Sequence, residues 1–265
     1  QSNGVFTVSD VKKTVKIRKP LPPFTTSTLQ QEASKVLNFA TKKTMQLAQE
    51  LYEGVEVKGH GTIGLITYLR TDSVRVSDEA DRSVREYIEA NFGKEFITTD
   101  DLNKGTGKKI QDAHEAIRPT YVSYTPDYVK PYLTGDQLKL YTIIWERFVS
   151  SQMKDSIVSV TTADIRCGDA LFRVVANIVK EKGFQNALKL LATKEKTLKL
   201  PALSAGEELE FSKYETEQHF TQGPSRYTDA SIVKILEEKG IGRPSTYAPI
   251  ISLLIERYYV ARKSK

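Results

Sequence analysis

Tyr68 stands in the run GLITYLRTDS (residues 64–73), with Arg70 two places on and Thr71, Asp72 and Ser73 behind it. A phenol has a pKa near 10, so roughly one molecule in a thousand is ionised at neutral pH. A tyrosine acting as a nucleophile on a phosphodiester therefore needs positive charge beside it, to favour phenolate and to neutralise the phosphorane-like transition state. In a strand over 65–69, Tyr68 and Arg70 share a face, and the three following side chains can bind phosphate or orient their neighbours. A packing pair on a strand has the same spacing, so the pattern alone leaves both readings open.

A second cluster, QDAHEAIRPT (residues 111–120), carries His114, Glu115 and Arg118. On a helix near 113–117 that stops at Pro119, these suit phosphate binding or proton transfer to a leaving hydroxyl; a surface Glu–Arg pair is the plainer alternative. A third, IGRPSTYA (residues 241–248), puts Arg243 ahead of a helix opening Pro244-Ser245-Thr246. Free N–H groups, two hydroxyls and an arginine at a helix start can hold a phosphate. Lys42 and Lys43, at the start of another helix, can touch phosphates or form a solvated face.

The elements that must position these groups can be read from periodicity. Residues 5–18 alternate around Val11, Val15 and Ile17 as a half-buried strand, ended by Pro20, Pro22 and Pro23. Residues 27–53 read as two helices, capped by Ser27 and Thr41, joined at Asn38-Phe39-Ala40 and stopped by Gly54. A Gly-rich stretch (54–64), the strand at 65–69, and a helix capped by Ser77 follow, an order that is winged-helix-like. Residues 98–109 read as a flexible loop. Residues 136–152 form an amphipathic helix, and 156–212 return to strands at 157–160, 163–166, 170–175 and 208–211, interrupted by a short helix near 184–191. A second helix-turn-helix, capped by Thr228 and turning at Gly240-Ile241-Gly242, closes the chain.

Composition sets outer bounds. Of 265 residues, 39% are hydrophobic and 27% charged, with a net charge of +6. This is enough to bury real cores, with a mild basic excess that fits a polyanion partner. The one cysteine, Cys167, excludes an internal disulfide or a cysteine zinc site and favours a reducing compartment. No apolar run is long enough to span a bilayer. Gln1-Ser2-Asn3 reads as a protease-site tag scar, and the chain as a piece of something longer.

Taken together, PPFTTSTLQQEAS, KKTMQLAQELYEG, GLITYLRTDS, QDAHEAIRPT, LYTIIWERFVSSQM and FTQGPSRYTDASIVKILEEKGIGRPSTYAPII resemble, in the family's order, the type IA DNA topoisomerases, most closely the bacterial topoisomerase I branch. The resemblance implies that Tyr68 attacks a phosphodiester of single-stranded DNA to give a 5′-phosphotyrosine, that a second strand passes, and that the break is resealed without ATP, relaxing negatively supercoiled DNA. It implies that Arg70 stabilises the scissile phosphate and His114 contacts a nearby one. Arg243, Ser245 and Thr246 then contact the DNA backbone, with Lys42, Lys43 and Arg226 as further strand contacts.

The implied fold is α+β and multidomain. A split β arch (4–24 and 152–219) carries an inserted, mainly helical, winged-helix-like domain bearing the tyrosine (25–151), and part of a further helix-turn-helix domain follows (220–265). The family's Mg2+ ligands belong to an N-terminal Toprim domain that, like the C-terminal zinc ribbons, this sequence does not show. The chain alone is therefore expected to hold no metal and not to relax plasmid. A monomer in the bacterial cytoplasm, at the nucleoid and off the membrane, is also implied. A non-enzymatic winged-helix DNA-binding module is the main rival. A recombinase or type IB enzyme, which leaves a 3′-phosphotyrosine, is another. The reverse gyrase and topoisomerase III branches remain open within the family.

Overall fold

The computed structural model describes residues 4–99, 114–192, 198, 200–213 and 215–263. The chain divides into two compact units: Gln1–Lys19 with Asp155–Gly183 and Thr193–Ser225, and Pro20–Lys154 with Phe184–Ala192 and Arg226–Lys265.

The first unit is an antiparallel sheet. Strand β1 (Phe6–Arg18) pairs along its length with β4 (Ser156–Cys167), β4 pairs with β5 (Ala170–Glu181), and short β6 (Glu208–Leu209) closes the other edge, giving the order β5-β4-β1-β6. The runs 157–160 and 163–166, expected as two strands, are one continuous strand, because Thr161 and Thr162 pair with Lys13 and Lys12 without a break. β-Branched threonines suit a pleated surface as well as their apolar neighbours do. The alternation expected around Val11, Val15 and Ile17 is kept, all three lying on one side of β1 in unbroken register from Asp10 to Arg18. The register slips between Val8 and Asp10, so Ser9 is a bulge residue, and its hydroxyl donates to the Asp164 carbonyl at 3.0 Å. One inserted residue shifts the parity, which brings Val8 and Val11 to the same side. Val8 is buried with Val158, Ala163 and Ala176, whereas Val15 and Ile17 are exposed. Burial along β1 thus falls off toward its end although the register there is intact.

The second unit is mainly helical. Helices α1 (Thr26–Val36) and α2 (Thr41–Glu53) turn at Asn38, whose φ of 58° is a left-handed conformation that asparagine tolerates. The caps differ from those expected. Thr25 rather than Ser27 caps α1, in a reciprocal box with Thr28. Ala40 precedes α2 without a side-chain bond, so Thr41 is helical, and its N–H is satisfied from outside by the Asp229 carboxylate at 3.1 Å. The Gly-rich stretch is a hairpin, β2 (Val55–Val57) with β3 (Gly61–Ile63). Helix α3 (Asp78–Asn91) is capped by Ser77 as expected and buries Ala80, Val84 and Ile88. A short α4 (Pro126–Val129) leads to the long α5 (Gly135–Ser151), which supplies Leu140, Tyr141, Ile143, Ile144, Phe148 and Val149 to the main core. Residues 183–187 are a 3-10 turn, and the stretch after it is tied down by the buried Glu146 carboxylate, which accepts from the N–H groups of Leu190 (3.1 Å) and Leu191 (2.9 Å). Burial pushes that carboxyl above the ordinary carboxylate range, against the pull of these N–H donors.

The last two helices, α6 (Asp229–Glu238) and α7 (Tyr247–Glu256), enclose a small core of Val233, Leu236, Tyr247 and Ile251. They pack in this unit, α6 along α1 and α7 against α2. Ser27 donates to Glu237 at 2.6 Å, and Arg262 pairs with the Asp229 that caps α2. Pro244 does not open the last helix as expected. Residues 243–246 form a tight turn closed by Thr246 N–H to the Arg243 carbonyl at 2.8 Å, and the helix starts at Tyr247. Gly242, at φ 80°, makes that turn possible: a Cβ there would lie 2.9 Å from Ile250 Cδ1.

Candidate active site

The expected strand at 65–69 is an extended segment with a single antiparallel bridge, Ile66 to Pro119. It is nonetheless firmly held, by threonines. On the near side of Tyr68, the Thr67 N–H donates to the Arg118 carbonyl (2.9 Å), while its hydroxyl donates to the Ala116 carbonyl (2.7 Å) and accepts from the Arg118 N–H (3.0 Å). Thr120 holds both Leu65 and Gly64. On the far side, the fully buried Thr26 hydroxyl donates to the Leu69 carbonyl (2.6 Å) and accepts from the Thr71 N–H (2.9 Å), while the Thr26 N–H donates to the Thr71 carbonyl (2.9 Å).

These bonds fix which way side chains turn. Leu69, Thr71 and Ser73 are buried, and Tyr68, Arg70 and Asp72 are exposed. The shared face inferred from strand periodicity thus survives without the strand, because extended backbone alternates whether or not it is paired. Thr71 and Ser73 do not face a ligand. The Thr71 hydroxyl accepts from the Ser73 N–H (3.0 Å) and the Ser73 hydroxyl from the Arg75 N–H (3.2 Å), so both shape the turn beyond the site.

Tyr68 is 41% exposed. Its ring meets Tyr52 of α2 edge-on at 5.5 Å and His114 at 5.9 Å, inclined by 30°. Its hydroxyl has no hydrogen-bond partner among the described residues. His114 is on extended chain, not on a helix, and the chain beyond it runs antiparallel to the Tyr68 segment. Ala113 and the loop expected at 98–109, beyond Thr99, lie outside the described residues. Arg118 is drawn away from the site: its Nε donates to Glu115 at 2.8 Å and its Nη1 to the Pro119 carbonyl at 3.0 Å. This is the structural pair that the sequence left open.

Arg70 lines a shallow cleft of about 320 Å3, together with Lys42 and Met45 of α2, and Pro244, Ser245, Ala248, Pro249 and Ser252 at the start of α7. Two cations and two serine hydroxyls therefore share one groove, lined by Arg70 two residues beyond Tyr68. Arg243 is near but occupied: its Nη1 donates to the Gly242 carbonyl (2.7 Å) and more weakly to that of Gly240 (3.4 Å). Thr246 is turned back on the same turn, accepting from the Arg243 N–H at 2.8 Å. Lys43 pairs with Asp136 and lies over the Phe39 ring, on another side of α2. Arg226 is exposed ahead of α6. Burial, then the charges of Glu237 and Asp72, raise the Tyr247 phenol above its ordinary value, with Arg243 opposing; the Asp72 charge is thus felt at the head of α7.

Of the sequence-inferred residues, Tyr68 and His114 meet ring to ring, and Arg70, Lys42 and Ser245 line one cleft. Arg243 and Thr246 stand behind Ser245 in the turn, and Lys43 is not part of the cleft. Tyr52 and the threonine clamp were not foreseen. The run Thr25-Thr26-Ser27-Thr28 was the available signal, since such a density of hydroxyls exceeds what one helix cap requires. Among the described residues, no group of three or more His, Cys, Asp or Glu could hold a metal ion. None of their helices is long and apolar enough to cross a membrane.

The family model for DNA topoisomerase matches residues 1–265. DNA topoisomerase 1 of Treponema pallidum is 53% identical over 259 residues, covering 97% of this chain and 35% of its own length. The structure of full-length topoisomerase I from Thermotoga maritima superposes with a TM-score of 0.86 at 42% identity, over 99% of this chain and 42% of that one. The chain thus spans about a third of the curated relative it matches. A match over its whole length, in sequence and in mixed α/β fold, shows that the chain belongs to the bacterial type IA DNA topoisomerases.

Proposed function

We propose that this chain is the strand-cleaving part of a topoisomerase that relaxes negatively supercoiled DNA. The observation that carries the reading is the Tyr68 edge: a half-exposed phenol on backbone pinned at both sides, with His114 against its ring, Arg70 on its face, and a groove lined by Lys42 and Ser245 beyond. The Tyr68 oxygen attacks the phosphorus of a single-stranded phosphodiester. The bond to the 3′-oxygen breaks, the phenol loses its proton and the leaving oxygen gains one. Arg70 neutralises charge on the non-bridging oxygens, His114 holds an adjacent phosphate, and Lys42, Ser245 and the Arg243–Thr246 turn hold the strand. Lys43 and Arg226 are peripheral contacts. After a second strand passes, the 3′-hydroxyl attacks the phosphotyrosine and frees Tyr68. One phosphoester replaces another, so no ATP is consumed.

The inserted helical region is read as winged-helix-like, with the β2–β3 hairpin as wing and the sheet unit as part of the arch. Mg2+ would assist charge neutralisation in the family's enzymes, but the described residues offer no acidic cluster that fits it. The reading places the metal on a Toprim domain of the same polypeptide, a monomer working at the nucleoid in the cytoplasm, and it expects this chain alone not to relax plasmid.

The decisive experiment mixes the chain with the Toprim region and with single-stranded DNA labelled on either side of the break. A denaturation-resistant adduct on the 5′-phosphate side, lost in Tyr68→Phe, is expected. An adduct that persists in Tyr68→Phe, or one on the 3′-phosphate side, overturns the reading in favour of a different tyrosine enzyme. No adduct with the unaltered chain favours the non-enzymatic winged-helix module.

A further inference from the structure

A second ring system lies on the helical unit, and nothing in the cleavage chemistry uses it. Tyr121 lies 5.2 Å from Tyr124, which lies 5.2 Å from Tyr128 and nearly parallel to it at 17°; Tyr132 follows at 6.5 Å, and His60 from the hairpin tip meets Tyr124 at 6.0 Å. The sequence YVSYTPDYVKPY makes this row. Tyr128 on α4 and Tyr132 on the 3-10 turn that continues it are four apart and so come round to the same side, while Tyr124 and Tyr121 extend the row from the turn ahead of α4.

The row is not core. Tyr121 is 54% exposed and Tyr128 41%, and none of the four hydroxyls has a hydrogen-bond partner among the described residues. The packing that holds the segment is done from beneath, by buried rings: Tyr141 donates to the Tyr124 carbonyl at 2.6 Å and Trp145 to the Val122 carbonyl at 2.9 Å. The backbone is fixed from beneath while Tyr121 and Tyr128 face water; Tyr124 and Tyr132 are half-buried, Tyr124 against the main core. Exposed Lys58 and Lys130 lie on these same segments. The acids there are engaged, Asp127 with Lys189 at 4.0 Å and Glu56 with the Thr62 hydroxyl at 2.9 Å.

The row is also close to Tyr68. Thr120, next to Tyr121, binds the Leu65 and Gly64 carbonyls, three and four residues from Tyr68, or about 10–13 Å along extended backbone. Successive aromatic faces flanked by lysines suit unpaired bases, which stack on them whatever their sequence; duplex bases are already stacked and offer no free face.

We infer that the row from Tyr121 to Tyr132, with His60, is a base-stacking platform for single-stranded DNA running on from the Tyr68 edge. The inference rests on the reading of that edge as a DNA site. The test is fluorescence anisotropy with the 265-residue chain, using an oligonucleotide of about 15 nucleotides and the same length made abasic. The double variant Tyr121→Ala/Tyr128→Ala should bind the intact strand about tenfold more weakly or worse and the abasic strand as the unaltered chain does. Tyr121→Phe/Tyr128→Phe should bind both normally. Arg70→Ala/Lys42→Ala should lose affinity for both strands, since phosphates are common to them.

Normal binding of the intact strand by the alanine pair overturns the platform and leaves the Tyr68 reading standing. So does an equal loss on both strands, which reports damage or a phosphate contact. Loss by the alanine pair without loss in Arg70→Ala/Lys42→Ala supports the platform and overturns the cleft. No binding by the unaltered chain overturns both.

Discussion

Replacing Thr26 by valine removes one hydroxyl and keeps the shape of the side chain. That hydroxyl is fully buried and bridges two points of the Tyr68 segment, the Leu69 carbonyl and the Thr71 N–H, on either side of Arg70. In Thr26→Val the Thr71 N–H is left buried without an acceptor, at a cost of about 1–3 kcal/mol, and the Leu69 carbonyl loses its donor for somewhat less. The Thr26 N–H to Thr71 carbonyl bond survives, so the segment loosens rather than detaches. A total near 2–3 kcal/mol lowers the melting transition of the helical unit by about 5–10 °C, at about 2–4 °C per kcal/mol for a region of this size. If half of it falls on the competent arrangement of Tyr68 and Arg70, adduct formation slows about tenfold. Thermal unfolding of the chain measures the first effect, and single-turnover capture of labelled DNA in the parent enzyme carrying the same change measures the second. Thr26→Ser keeps the oxygen and should restore both. The clamp is refuted if Thr26→Val melts within about 1 °C of the unaltered chain and forms adduct at the same rate, or if Thr26→Ser behaves like valine.

Other changes test other parts of the frame. Glu146 has a folded pKa raised by burial. Its stabilising contribution is therefore fully present below the unfolded value of about 4.3 and is lost as pH rises through the raised folded value. Glu146→Gln cannot ionise, so its stability relative to the unaltered chain should improve as pH rises through that window; a difference from urea unfolding that stays flat in pH would contradict this. Gly242→Ala, at φ 80° with Ile250 Cδ1 and Thr246 Oγ1 about a Cβ contact away, should cost about 1–2 kcal/mol. Faster amide exchange confined to α6 and α7 is the expected sign. Asp229→Ala removes the carboxylate that caps Thr41 and pairs with Arg262. A loss of about 1 kcal/mol is expected, with Asp229→Asn closer to the unaltered chain in the same melting experiment.

Much of this was legible in residue order. The helix at 78–91 follows from apolar spacing and the Ser77 cap, the one read at 136–152 from apolar spacing alone, and β1 from alternation. The Tyr68–Arg70 face could be read because it depends only on extended backbone. What could not be read depends on residues distant in sequence. Thr41 looked like a cap because it has a hydroxyl, yet its N–H is served by Asp229, 188 residues away. The segment at 65–69 looked like a strand because it is apolar, yet its backbone partners are mostly threonine hydroxyls and one opposing chain. Val15 and Ile17 looked half-buried, yet both are exposed, because alternation marks a side of the strand and not what covers it. His114 looked helical from its neighbours, but Pro119 and the pairing at Ile66 hold that chain extended.

The threonine clamp has a mechanical consequence. A DNA end joined to Tyr68 would pull on a backbone that cannot pay out slack, because Thr67 binds it to residues 116–118 on one side and Thr26 binds it to α1 on the other. Short bonds loaded in parallel share tension, so the force passes directly into the core of the helical unit instead of peeling a loop from its surface. A strand end joined there would thus be held like a rivet in a plate, drawn apart only as fast, and only as far, as the plate itself moves.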